Sequence, residues 1–439
     1  MNSTYILTVF FVAIIILLLL VSKFKVHASM SMLLVTIFLA VAIKTPLNEV
    51  PKLINEGFGN TAKNVALVIF LGSVLGEILS KTGAAIKITN TFIKWFGQKK
   101  VLWAIALSCF IMGIPIFPDT IGLLLIPICS NISVTTGLSM MQFAAVIQVG
   151  VITSSLVPPT PGPVAAASIL GLSLGEVIPW GILVAIPGAI VNVLWAKSIK
   201  KYIEPKDEFI TDIDKLENIP NFGKSIIPLI IPILLILIDN VVGILYPETR
   251  INEITSFVGN PLSALLIGVF MAMFLQIEKF WQKKEYRNDI FENALIGSVV
   301  PIFITCLGGS LGSFIKNSGV ADIIAQKVVE SSIAPIFVPM IISILIRIIT
   351  GSNTLALTTT SALVAPMLNT LGITPLATFL AIGSGGIIFS HANSSGLWLN
   401  TTLCNMSFDQ GLKSIGIATL LSGLGCCAMT LILYFLGFI

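Results

Sequence analysis

The chain has 439 residues, 55% of them hydrophobic and only 10% charged, against about a quarter charged in a soluble domain. Apolar runs of bilayer-spanning length, about 20 residues, recur from end to end, so the chain reads as an all-α membrane protein and soluble classes are excluded. The formal charge of +4 does not point to nucleic acid, because the basic residues lie in short loops between the apolar runs.

The first apolar run, Tyr5 to Val21, has no positive charge before it, and Lys23 and Lys25 follow it. That order is backwards for a secretory signal, despite the cleavage-like Val26-His27-Ala28. It predicts a retained span with its N-terminus outside. Further spans are predicted at 28–44 and 63–79. The stretch 84–97 is amphipathic, with Lys87, Asn90, Thr91 and Lys94 opposite Ile88, Phe92, Trp95 and Phe96. It reads as an interfacial scaffold helix. A proline-broken pair at 101–131, a broken segment at 140–170 and a closing span at 178–198 complete the first half. Residues 200–224 are charged and polar and form the expected cytoplasmic linker. The second half gives spans at 225–246, 256–276 and 290–315, a short polar stretch at 320–332, a pair at 334–369, a broken segment at 374–404 and a closing span at 413–438. About ten transmembrane helices and two re-entrant hairpins result.

The halves resemble each other. "LGSVLGEILSKTGAA" (71–85) lies over "LGGSLGSFIKNSGVA" (307–321), so that Gly72, Gly76 and Gly83 fall on Gly308, Gly312 and Gly319. Gly113 and Pro127 meet Gly351 and Pro366 with shifts of two or three. If each pair is a re-entrant hairpin, each half crosses five times. Five is odd, so residues 1–199 and 225–439 are expected to form two inverted repeats, a hallmark of secondary transporters. Charge tests this separately. With both termini outside, eighteen of the 25 Lys and Arg residues fall on the inner side and six outside, and Arg347 stays in the membrane.

Four polar, Pro/Gly-rich stretches interrupt the apolar sequence: "MGIPIFPDTIG" (112–122), "ITSSLVPPTPGPVA" (152–165), "TGSNTLALTTTS" (350–361) and "GSGGIIFSHANSSGLW" (383–398). Unpaired backbone in hydrocarbon costs several kcal/mol per group. Such breaks persist only where protein or a wet cavity covers them, so one shared cavity is expected. Pro118-Asp119-Thr120 and Gly351-Ser352-Asn353-Thr354 are helix-start signatures. Helix N-termini offer free N–H groups and partial positive charge, which suits a carboxylate. Ser352, Asn353 and Thr354 are the leading substrate-binding candidates, joined by Gly351, Asp119, Thr160, Gly162, Ser390, His391, Asn393 and Ser394.

Each candidate also has a plainer reading. Asp119 either caps its helix or carries a coupling ion, since a carboxylate in the membrane is costly. His391 is either held by a hydrogen bond, with Asn393 as partner, or handles a proton or substrate. Asn353 is the third coupling-ion candidate. Arg347 either binds an anion or braces the hairpin through backbone carbonyls. Thr358, Thr359 and Thr360 can bond back to their own helix. The six cysteines show no C-x-x-C or zinc spacing and read as buried structural thiols. No metal or other cofactor is expected beyond a transmembrane proton gradient or a sodium gradient.

At the four breaks the chain resembles the gluconate permease family, gluconate:proton symporters within the ion transporter superfamily. The family's Gly-Ile-Pro followed by an aromatic and an acid is matched by Gly113-Ile114-Pro115-Ile116-Phe117-Pro118-Asp119. Its Leu-Pro-Pro-His-Pro-Gly-Pro resembles Val157-Pro158-Pro159-Thr160-Pro161-Gly162-Pro163. Its Arg followed by Gly-Ser-Ala-Thr-Val-Ala is similar to Arg347 and Gly351-Ser352-Asn353-Thr354-Leu355-Ala356. Its Ser-His-Val-Asn-Asp-Ser-Gly-Phe-Trp resembles Ser390-His391-Ala392-Asn393-Ser394-Ser395-Gly396-Leu397-Trp398. Two titratable family residues are replaced, His by Thr160 and Asp by Ser394. Asn353 creates a Ser-Asn-Thr triplet similar to that of sodium-coupled dicarboxylate carriers. The resemblance implies a bacterial inner-membrane symporter for a sugar acid or hydroxy acid, coupled to protons or to sodium. It also implies a scaffold, a moving domain of hairpins and broken helices, and a homodimer.

Two other classes compete. An intramembrane hydrolase would use Ser390 or Ser384 with His391, but Ile382 stands where a G-x-S-G motif needs glycine. A passive channel would lack counterflow. The sequence reads as a carrier and not an enzyme.

Overall fold

The computed structural model describes residues 3–210, 219–275, 284–318, 323 and 334–439. Secondary structure among them is helical throughout. The short polar stretch predicted at 320–332 lies, apart from residue 323, outside the described residues, as does part of the linker.

Seven helices among the described residues are long and apolar enough to cross a membrane. Arg250–Val258 and Pro261–Leu275 pass together as an eighth, bent by 59°. Asn260-Pro261 explains the bend, since proline cannot continue the preceding helix. Ala28–Ala42, Phe337–Thr350 and Pro375–Ile387 are apolar but shorter. Ala28–Ala42 and Pro375–Ile387 lie in segments predicted to cross, whereas Phe337–Thr350 is the first arm of the second predicted hairpin. The span predicted at 63–79 begins earlier, as the 32-residue helix Val50–Lys81.

The same element order occurs in both halves. Val101–Met112 turns back into Pro118–Thr136, as Phe337–Thr350 turns into Asn353–Val364. Val101–Met112, at 12 residues, is about 18 Å long, well short of a hydrocarbon core of about 30 Å. Each hairpin is followed by a broken segment: Val149–Leu156 then Pro161–Leu170, and Pro375–Ile387 then Ser395–Leu403.

Val50–Lys81 and Lys284–Ser318 pack along each other and carry the repeated glycines. Gly57 meets the backbone of Ser310, whose hydroxyl donates to Ile54 O at 2.8 Å. Gly72 and Gly76 lie against Pro159 and Pro115; Gly308 and Gly312 lie against Thr358 and Ala362. The repeated motif thus brings each long helix against the interrupted elements, although the two halves use it on different parts of them. Ala84–Phe96 packs Phe92 and Trp95 on Phe222, with ring centroids 5.7 and 5.0 Å apart. It serves as scaffold, as the sequence suggests. All six cysteines are free and buried.

Candidate functional site

Four helices start at one place. Phe117, Thr160, Ser352 and Ser394 precede Pro118–Thr136, Pro161–Leu170, Asn353–Val364 and Ser395–Leu403. Pro118 and Pro161 suit the first helical position, where no N–H is needed. Ser352 caps its helix by accepting from Leu355 N at 3.3 Å. All four starts line one cavity of about 390 Å3. Ile147, Gln148, Val151 and Ser154, one face of the first broken segment, form another part of its wall. First-turn amides have no acceptor within their own helix. Each N-terminus also carries about half a positive charge.

The acceptors at the breaks are treated differently. Where Phe337–Thr350 ends, its last carbonyls have lost their helical partners. His391 Nε2 is bonded to Ile348 O, Asn393 Nδ2 donates to Ile349 O at 2.8 Å, and Arg347 Nη1 donates to Gly351 O. Arg347 Nη2 donates to Ser390 Oγ at 2.7 Å. In the first half the Thr160 hydroxyl lies 2.8 Å from Ser154 O and 3.2 Å from Val157 O. Side chains of the protein thus take up carbonyls, while four helix N-termini line the cavity. A pocket so arranged favours an anion.

Of the predicted residues, Gly351, Ser352, Asn353, Thr354, Asp119, Thr160, Gly162, Ser390, Asn393 and Ser394 line this cavity, and Arg347 reaches it. His391 does not. Its ring stacks on Phe389 with centroids 5.7 Å apart, and a carbonyl can only accept, so Nε2 is held as a donor to Ile348. Of the two readings of His391, the hydrogen-bonded one has a partner in the structure, and that partner is Ile348 and not Asn393. Arg347 is 2% exposed and braces the hairpin tip through a carbonyl. Thr358 Oγ1 bonds back to Thr354 O at 2.7 Å, whereas the buried hydroxyls of Thr359 and Thr360 have no partner among the described residues.

Asp119 is half-buried in the first turn of its helix. Its Oδ2 accepts from Ser395 Oγ at 3.4 Å, linking the first hairpin to the second broken segment. Asn353 Nδ2 donates to Ser155 Oγ at 2.9 Å, which links the second hairpin to the first broken segment. An Asn353→Ala variant should fold normally and lose about fivefold in ligand affinity, since a hydrogen bond to the ligand contributes about 1 kcal/mol. Thermal stabilisation by added substrate, measured on the purified variant, checks this; unchanged affinity removes Asn353 from the site.

Gln148, Ser154, Thr350, Ser395 and Asn400 also line the cavity and were missed by the sequence reading. Gln148 and Asn400 are amides within helical runs, and a polar residue in an apolar run was the available signal. Asn400 packs against Gly122, where a side chain would collide with its amide oxygen.

Residues 5–436 match the model of the GntP family permease. The chain belongs to the GntP permease family. It is 30% identical to a gluconate permease of Pseudomonas aeruginosa, over 97% of this chain and 96% of that one. It is 29% identical to the high-affinity gluconate transporter of Escherichia coli K12, over 92% and 93% of the two chains. It is 30% identical to the Gnt-II system L-idonate transporter of the same organism, over 93% and 94%. Among solved structures, the YdaH transporter of Alcanivorax borkumensis, described as having an unusual topology, matches with a TM-score of 0.66 at 14% identity, covering 90% of each chain. That likeness concerns the fold of this GntP permease.

Proposed function

We propose that this GntP-family permease is a secondary transporter that carries a sugar acid such as gluconate across the bacterial inner membrane, coupled to protons. The observation that carries the reading is the meeting of four helix N-termini at one polar cavity whose nearby carbonyls are held by the protein's own side chains. The relatives named for gluconate and L-idonate support the substrate class. The transporting unit is two inverted repeats, residues 1–199 and 225–439, which expose the cavity to alternate sides. It works as a homodimer with both termini outside, an orientation supported by the excess of Lys and Arg in the loops read as cytoplasmic.

Asp119 carries the coupling proton. Asp119 and Arg347 are the ionisable side chains lining the cavity among the described residues, and Arg347 is engaged in bracing. Sodium coupling is the second reading and rests on the Ser-Asn-Thr triplet. Within the triplet Ser352 Oγ accepts from Leu355 N and Asn353 Nδ2 donates to Ser155, so Asn353 Oδ1 and the Thr354 hydroxyl are the acceptors left to a cation. A hard cation needs several oxygen acceptors, which favours the proton.

Uptake of labelled gluconate into proteoliposomes tests this. Accumulation is expected under an inward proton gradient without sodium, together with counterflow. An Asp119→Asn variant should lose gradient-driven accumulation and keep counterflow, because the substrate contacts stay while the titrating group is gone. Accumulation driven by sodium alone, or a variant whose response to the pH gradient is unaltered, removes Asp119 from the coupling role.

A further inference from the structure

Beside the helix N-termini the cavity holds neutral carboxamide groups, and Gln148 is the one set between two aliphatic side chains. It sits at the joint between Met140–Ile147 and Val149–Leu156, is 4% exposed, and lines the cavity beside Ile147 and Val151. Its Nε2 donates to Ala144 O at 3.1 Å. A carbonyl only accepts, so the amide nitrogen must face Ala144, and this settles which way the side chain is turned. Oε1 is the other end. Among the described residues no group donates to it, and it is not sealed away from the cavity.

A neutral acceptor of this kind distinguishes ligands that amides cannot. The N-terminal amides attract a carboxylate whatever is attached to it. Oε1 repels a second carboxylate, which is acceptor-only when ionised, and stays unpaired against a bare alkyl chain. A hydroxyl satisfies it, and Ile147 and Val151 on either side give the carbon skeleton an aliphatic wall. We propose that Gln148 is a specificity-determining residue whose Oε1 accepts a hydrogen bond from a substrate hydroxyl, so that hydroxylated monoacids are selected over plain carboxylates and diacids. This rests on the transport function proposed above and names the group that reads the hydroxyl.

The test uses full-length protein in proteoliposomes, with labelled gluconate uptake inhibited by unlabelled gluconate, hexanoate (equal length, no hydroxyls) and glucarate (a second carboxylate). The wild type should prefer gluconate to both. Gln148→Met should lower the preference over hexanoate by about tenfold, the cost expected when a buried substrate hydroxyl loses its acceptor. Half-inhibition by gluconate should weaken while that by hexanoate stays level or improves. Gln148→Ala should show the same loss and covers the case in which Met disturbs the helix joint. In the wild type, a series of monodeoxy-gluconates should show one position at which affinity falls about tenfold. Equal weakening of both acids, an unchanged preference, or a flat deoxy series overturns the role of Gln148. A wild type that takes up no hydroxy acid overturns the transport reading instead.

Discussion

Replacing Arg347 with leucine is expected to abolish transport and to lower the stability of the purified protein by at least about 3 kcal/mol. The guanidinium donates from two nitrogens to two different elements: Gly351 O at the tip of the second hairpin, and Ser390 Oγ at the start of the second break. A hydrogen bond from a charged donor contributes about 1.5–3 kcal/mol, and both acceptors would be left in a region that water reaches poorly. The larger effect is geometric. Arg347 ties the helix end that precedes Asn353–Val364 to the segment that precedes Ser395–Leu403, so its loss frees two of the four N-termini to move apart. Gluconate uptake and thermal unfolding in detergent measure the two consequences. Arg347→Lys should not rescue uptake, since one ammonium cannot serve both acceptors as a planar fork does. Near-normal uptake in the lysine variant would show that charge alone is needed at this position.

A Gly351→Ala variant is expected to be nearly as damaging, although it adds one methyl group. Gly351 ends Phe337–Thr350 with φ of +73°, a conformation that costs an L-residue about 1–2 kcal/mol. Its missing side chain is also where the Asn393 carbonyl runs. The methyl would push the Asn393 segment off the hairpin tip, adding about 1–3 kcal/mol of overpacking. Ligand affinity should fall by more than about tenfold at 1.4 kcal/mol per decade, read as reduced thermal stabilisation by gluconate. An alanine variant that binds normally would mean that the hairpin tip and the break are not rigidly coupled.

The cavity was largely legible in the sequence because membranes penalise broken backbone. Once "MGIPIFPDTIG", "ITSSLVPPTPGPVA", "TGSNTLALTTTS" and "GSGGIIFSHANSSGLW" interrupt apolar runs, the cost of unpaired amides requires that they be covered. Ten of the eleven substrate-binding candidates line the cavity. His391 lies outside the lining and is bonded to Ile348 O, a long-range contact that the sequence does not show. Gln148 is marked in the sequence only as a polar residue in an apolar run, a signal shared by an amide bonded entirely within its own helix, as its Nε2 is.

Composition and pattern alone determined that this chain is a helical membrane protein, that its two halves share an element order, and that its polar breaks lie at corresponding points. Those properties follow from rules acting over a few residues or turns: hydropathy, helix-start chemistry, and the steric demands of glycine and proline. Only the tertiary structure decided which donors stay free. Whether a carbonyl near a break meets a ligand or Asn393, Arg347 or Thr160 depends on side chains from elsewhere in the fold, as in the pairing of Ile349 with Asn393. The preference for an anion belongs to that arrangement, because a helix end offers both donors and acceptors until neighbouring elements have taken up one kind.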